Sequence, residues 1–249
     1  MVQAIQKGRG VGYDFGEEDV CVAIDRKNGN FFRNHLVDAV LATIVVPKTG
    51  RSLINLLDAG IHVADVGCGC GTSTIAMAKR FPKSTFYAFE SSPRSLFLIE
   101  QNVQQAKLTN VVVCDVAKRT VGDGPDVTNP KSRFGFVYAH DVLHDMTQPQ
   151  ELIADVQDRL SPEGCWVIVD IDCSESATDN LKRKNAATLY GFSCLLCLSM
   201  ATSEAGGKGL GTCGFSPTLA KKWTEKAGFS YFSKFDVAML PYNACYLVA

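Results

Sequence analysis

No sign of charge dominates this chain. Its 25 Lys and Arg meet 26 Asp and Glu, leaving a net charge of -1 over 249 residues. A nucleic-acid footprint needs a basic excess or stripe, and neither is present. The short basic runs RKNGN (26–30) and LKRKN (181–185) read as solvated faces. A long apolar span is also lacking. The most apolar stretch, 186–201, is interrupted by Thr188, Gly191, Ser193 and Ser199. It falls short of the roughly 20 residues a membrane span needs, so it reads as a buried helix or a substrate-facing lid. The opening residues MVQAIQKGRGVGYDF hold no apolar core of a secretory signal. Metal-ligand spacing is missing too. Cys194 and Cys197 form a CxxC, but neither a second pair nor a neighbouring His follows, and the flanks FSCLLCLSM are apolar. A packed helix face is therefore expected there, with no metal bound. No repeat and no low-complexity tract occurs.

What the chain has is cysteine, glycine turns and short apolar strands. The ten cysteines fall mostly inside regular elements, and the chain is too long to be a disulfide scaffold. They read as reduced thiols of a cytoplasmic protein. Residues 1–30 are Gly-rich and read as irregular, and 31–58 as two short helices broken at VPKTG (46–50). From residue 61 strands and helices alternate. IHVADVG (61–67), STFYAFE (84–90), NVVVCD (110–115), FGFVYA (134–139) and CWVIVDI (165–171) read as strands. Helices are expected over 72–81, 93–106 and 148–160, with a turn-rich loop marked by Gly122, Gly124, Pro125 and Pro130. Ser216, Pro217 and Gly228 frame a last helix, and SYFSKFDVA and NACYLVA form a closing hairpin. The pattern predicts an α/β fold: a doubly wound, mostly parallel seven-stranded sheet ending in that antiparallel hairpin. The organisation expected is a 1–58 N-terminal segment, a 59–249 ligand-binding domain, and a helical lid insert over about 173–214.

In such a sheet, ligands bind beyond the carboxyl ends of the strands. The first end is DVGCGCGTST (65–74). Gly67, Gly69 and Gly71 permit a tight turn and a close backbone approach, with Cys68 between them. The spacing is GxGxG, not the dinucleotide GxGxxG, because residue 72 is Thr. Asp65 would repel a pyrophosphate but tolerates a ligand carrying an ammonium or a sulfonium. The second end is Glu90, followed by Ser91, placed to accept hydrogen bonds from two ribose hydroxyls. The third is Asp115-Val116, an acid for an adenine amino group and an amide for a ring nitrogen. The fourth is AHDVLHDM (139–146), where His140 or Asp141 would flank the cofactor; His144 either takes a proton from an acceptor hydroxyl or holds the loop, and Asp145 either orients it or stands exposed. Tyr13 and Phe15 are expected to close the cleft, with Tyr190 and Phe192 of the lid over an apolar acceptor.

The strings VADVGCGCGTST, CDVA and LHDM, the strand-end Glu90 and the later LSPEG resemble class I S-adenosylmethionine-dependent methyltransferases. With GVGYDF (11–16), DVLHDM (141–146) and NAATLYGFSCLLCLSM (185–200), the chain is similar to a branch that carries an N-terminal winged-helix domain, absent here. The resemblance implies a Rossmann-like methyltransferase fold, S-adenosyl-L-methionine as cofactor and S-adenosyl-L-homocysteine as product. It also implies His144 as the base of an O-directed transfer to a small molecule, with a homodimer as the expected assembly. Nucleic acid and membrane partners are not expected. Two rivals stand beside it: a catalytically silent cofactor- or partner-binding protein, and an NAD-type enzyme, which GxGxG with Asp65 disfavours.

Overall fold

The computed structural model describes residues 6, 8–13, 20–116 and 133–249. Phe15 and the turn-rich loop around Gly122–Pro130 lie outside them.

The chain enters through α1 (Val20–Asn34), a π turn (Leu36–Val40) and α2 (Leu53–Ala59). The alternation then begins: β1 (His62–Val66), α3 (Thr72–Arg80), β2 (Thr85–Glu90), α4 (Pro93–Gln105), β3 (Val111–Asp115), β4 (Phe134–His140), α5 (Pro149–Arg159) and β5 (Leu160–Ile171). The insert follows as α6 (Ala177–Leu181), α7 (Ala186–Phe192), a second π turn (Ser193–Cys197) and α8 (Leu198–Ala201). The chain closes with α9 (Pro217–Ala227), β6 (Phe232–Phe235) and β7 (Asn243–Val248).

The seven strands form one sheet in the order β3-β2-β1-β4-β5-β7-β6. Strands β1 to β5 pair in parallel, while β7 runs antiparallel to both β5 and β6. This is the doubly wound, mostly parallel seven-stranded sheet that the sequence predicts, with its antiparallel end. The chain steps outward from β1 through β2 to β3, then returns to the other side of β1 with β4. The switch point, and so the cleft, lies between the carboxyl ends of β1 and β4.

Strand alternation sorts the core into two layers. In β5, Val167 and Val169 pack with Phe136, Tyr138, Leu53 and Phe81 on one face. Trp166 and Ile168 pack with Val137, Ile153, Phe215 and Tyr246 on the other. Local signals hold the last helix as read from sequence. Ser216 Oγ accepts from Leu219 N at 3.2 Å, Pro217 opens the helix, and Gly228 closes it at φ 104°.

Two expectations need correction. Residues 20–30 are helical, not irregular. Asn28, Gly29 and Asn30 are poor helix formers, but Cys21 and Phe31 bury one face of α1 and tertiary packing prevails. Phe192 points outward, 46% exposed, because the π turn that follows α7 buries Ser193 and Cys197 instead. Among the described residues, no helix is long and apolar enough to cross a membrane.

Candidate active site

The three loop glycines do different things. A Cβ on Gly67 (φ 65°) would lie 2.6 Å from the Val142 side chain, and one on Gly71 (φ 80°) would overlap Ile99. These two let the loop pack under its neighbours. A Cβ on Gly69 (φ 56°) would meet nothing within 4 Å. Here the backbone borders open space, as a close-lying ligand requires. The loop is pinned from outside as well, since Asn102 Nδ2 donates to the Cys70 carbonyl at 3.0 Å.

Asp65 is buried below the loop. Its Oδ2 accepts from Ser73 Oγ at 2.7 Å and Thr74 Oγ1 at 2.6 Å, tying β1 to the first turn of α3. Burial pushes its carboxyl up to about 6 against the pull of those hydroxyls. Asp65 therefore holds the loop in shape, rather than standing free toward a cationic ligand. The Cys68 thiol is buried with Ala88 and Ile99. Burial raises its pKa well above the usual range, so the residue offers the cleft its backbone and not a thiolate.

Glu90 caps β2 and joins two loops. Oε2 accepts from Gly69 N at 2.8 Å, and Oε1 from Ser91 N at 2.7 Å and Ser92 N at 3.0 Å. Ser91 Oγ also approaches Oε1, at 3.4 Å, so Oε1 is filled and Oε2, with one donor, is the oxygen that keeps an acceptor position. Asp115 stands in register with Glu90 on the neighbouring strand. The Val116 amide is committed, however, and donates to the Glu90 carbonyl at 2.9 Å. The expected amide contact to a ring nitrogen is thus corrected: the amide continues the parallel ladder past the strand end.

Tyr13 comes from the N-terminal strap. Gly10 N donates to the Thr202 carbonyl at 3.1 Å, and Val11 N to Ser199 Oγ at 2.9 Å. The strap is thereby fastened to α8 of the lid. Burial raises the Tyr13 phenol above its ordinary value, and the neighbouring Glu90, Cys21, Cys70 and Asp145 add to the rise. The phenol thus lies within electrostatic reach of both Glu90 and Asp145, the neighbour of His144.

At the end of β4 the two histidines part. The His140 side chain packs among aromatics, 4.9 Å from Phe32 and 5.9 Å from Phe31, and its Nδ1 meets the Tyr138 hydroxyl at 2.8 Å. Burial lowers its pKa. Its side chain thus serves the packing of α1, and is not free to reach into the cleft. Asp141 takes a left-handed conformation (φ 55°), unusual for a residue with a Cβ, and is held there by Asn243 Nδ2 at 2.6 Å.

His144 lies in a 3-10 turn (Leu143–Asp145) and is 3% exposed. Nδ1 is 2.6 Å from Asp170 Oδ1, and Nε2 is 3.2 Å from Asp145 Oδ1. A carboxylate has no proton to give, so Asp170 fixes a hydrogen on Nδ1, while Nε2 faces the Asp145 carboxylate. Burial disfavours the imidazolium, but Asp145 and Asp170 together outweigh it and hold the His144 pKa well above its ordinary range. The orienting carboxylate is therefore Asp170, not the Asp145 expected from sequence. Asp170 was overlooked as part of the apolar strand CWVIVDI, although an acid in such a run was the available signal. Cys197 was set aside as a helix-face residue with no His near it. The π turn brings its thiol within 4.8 Å of a His144 ring nitrogen.

Comparison with known proteins bears on this geometry. Residues 57–228 match the family model described as a methyltransferase domain. A trans-aconitate 2-methyltransferase from Delftia acidovorans is 28% identical over 126 residues, 51% of this chain and 44% of that protein. A malonyl-[acyl-carrier protein] O-methyltransferase from Halalkalibacterium halodurans is 28% identical over 138 residues, 52% of this chain and 48% of its own length. The chain thus spans about half the length of these curated relatives. The crystal structure of an O-methyltransferase family 2 protein from Planctomyces limnophilus, in complex with apigenin, superposes with a TM-score of 0.59 at 16% identity. That match covers 93% of this chain and 61% of the other, and shows the shared fold.

Proposed function

Because the chain belongs to the methyltransferase-domain family, we propose that it transfers a methyl group from S-adenosylmethionine to an oxygen of a small molecule, with His144 receiving the acceptor proton. The observation that carries this reading is the buried His144–Asp170 pair at the mouth of the β4–β5 strand ends. A proton acceptor there needs an oriented ring with its second nitrogen available, and this pair supports the first of these by holding Nδ1.

S-adenosylmethionine, when bound, supplies a methyl group already activated on a sulfonium. The residues present suit such a ligand: the open flank at Gly69 and the remaining acceptor position on Glu90 Oε2 fit an adenosine with its ribose. Asp115 and Val116 would border the adenine, and Ser91 the ribose edge. With the leaving group pre-activated, the protein's task is to align the acceptor, exclude water and take up the proton. The strap with Tyr13 and the insert perform the exclusion, and His144 Nε2 performs the last step from its neutral form, a fraction that grows with pH because Asp145 and Asp170 hold the imidazole pKa high. The O-methyltransferase named among the relatives supports oxygen as the accepting atom.

The test is isothermal titration of the chain with S-adenosylmethionine and S-adenosylhomocysteine, beside Gly69→Arg and Glu90→Ala. A screen of hydroxylated and carboxylated small molecules for labelled-methyl transfer follows. Micromolar binding lost in both variants, with transfer to one acceptor class, is the expected result. A folded chain that binds neither molecule would overturn the reading. Binding with no transfer to any acceptor would favour a silent binding protein.

A further inference from the structure

Three groups of different donor chemistry meet beside the proposed base. A His144 ring nitrogen, an Asp145 carboxylate oxygen and Cys197 Sγ all lie within 4.8 Å of one another, and Nε2 is the nitrogen that faces Asp145, at 3.2 Å. We propose that these residues form a binding site for one divalent cation of the zinc class, and that its occupation switches off proton acceptance at His144. The second half of the proposal rests on His144 being the base.

The donor set selects the ion. An imidazole, a thiol and a carboxylate suit a borderline-soft cation, whereas magnesium and calcium prefer all-oxygen sites. The spacing suits it as well. Zinc bonds of about 2.0–2.3 Å in a tetrahedron put ligand atoms roughly 3.5 Å apart. Nε2 and Asp145 Oδ1 already stand 3.2 Å apart, and Cys197 completes the triangle within a side-chain adjustment.

The surroundings supply a second, independent argument. Metal-bound histidines usually give their other ring N–H to a carboxylate, which fixes the ring and strengthens the ligand. Asp170 does this at 2.6 Å, and is itself held by the Ile171 amide at 2.7 Å. Asp145 Oδ1 is buried with no hydrogen-bond donor of good geometry, and so is Asp170 Oδ2. Two carboxylates therefore crowd one imidazole, and a dication would balance them. Three protein ligands leave a fourth position for water, the open form of a zinc site.

The consequence follows from the atom used. Coordination takes the Nε2 lone pair, the same pair that would receive the acceptor proton. Binding releases the Cys197 thiol proton, and any proton on Nε2, to solvent, so affinity falls as pH falls.

The experiment uses the chelator-treated full chain at pH 8, titrated with Co2+ as a spectroscopic stand-in and then with Zn2+. Expected are a thiolate-to-cobalt charge-transfer band saturating at one ion per chain, and its loss when Zn2+ displaces Co2+. Cys197→Ser should lose the band and bind at least tenfold more weakly while melting as a folded protein. Cys194→Ser, which alters the exposed thiol of the same helix, should keep the band. No band, or a band that persists in Cys197→Ser, overturns the site. Methyl transfer abolished by stoichiometric Zn2+ and restored by chelator supports both halves. A normal band with transfer untouched by Zn2+ leaves the site standing and removes His144 as base. Acceleration by Zn2+ overturns the switch.

Discussion

The amide of Gly69 donates to Glu90 Oε2 at 2.8 Å, so the ends of β1 and β2 are already joined across the place where a nucleoside would lie. One carboxylate shapes the loop and, in the proposed function, holds the ribose.

Replacing Glu90 should therefore act twice. Hydrogen bonds to a charged group are worth about 1.5–3 kcal/mol each. Glu90→Ala is expected to weaken S-adenosylmethionine binding by about a hundredfold or more, read by calorimetry. Glu90→Gln keeps one acceptor oxygen and should lose less. Unchanged affinity in both variants would remove Glu90 from the cofactor site.

The glycines should separate in the same assay. Gly71→Ala places a methyl against Ile99 in a fully packed region, so a fall in melting temperature is expected. Gly69→Ala meets open space and carries only the cost of a left-handed backbone, about 1–2 kcal/mol. Its main effect should be on cofactor affinity. Equal losses of affinity and stability in both would dissolve the distinction.

Asp65 makes a pH prediction. Its folded pKa of about 6 stands above the ordinary 3.8 to which unfolding returns it. Between those values the folded chain binds the extra proton, so this group's contribution falls as pH rises through the window and is level above it. A shift of two units corresponds to on the order of 3 kcal/mol. Asp65→Asn preserves an acceptor for Ser73 and Thr74 and removes the titration. Its melting temperature should change less between pH 4.5 and 7 than the parent's does. An equal slope would mean that Asp65 ionises normally in the fold.

His144→Gln should lower turnover by about 10²–10⁴-fold, the usual worth of a positioned base, with cofactor affinity nearly unchanged. Asp170→Asn should lower it too, since an amide can present its NH2 to Nδ1 and move the ring hydrogen to Nε2. Full turnover in both variants, measured under chelator, would show that transfer needs no base from this pair.

The sheet was legible because its signals are local. Each strand is a short apolar run, each turn has its glycine, and Ser216–Pro217 to Gly228 carry their own caps. The glycine loop was legible for the same reason. The partners of His144 were not, because Asp170 and Cys197 reach it only through strand pairing and the π turn at Ser193–Cys197. Helix α1 escaped notice because its weak formers, Asn28 and Gly29, are overruled by burial of Cys21 and Phe31. Val116 misled because a strand-end amide looks free in one dimension, and its partner lies on the adjacent strand.

The strap and the lid are one mechanical piece: Gly10 and Val11 are bonded to Thr202 and Ser199, while Tyr13 stands by Glu90 and Cys197 by His144. A door hinged in this way serves both ligands at once. The reaction it governs is expected to run in a fixed sequence, with the nucleoside entering first and leaving last, and to show that order as product inhibition competitive with only one of the two substrates.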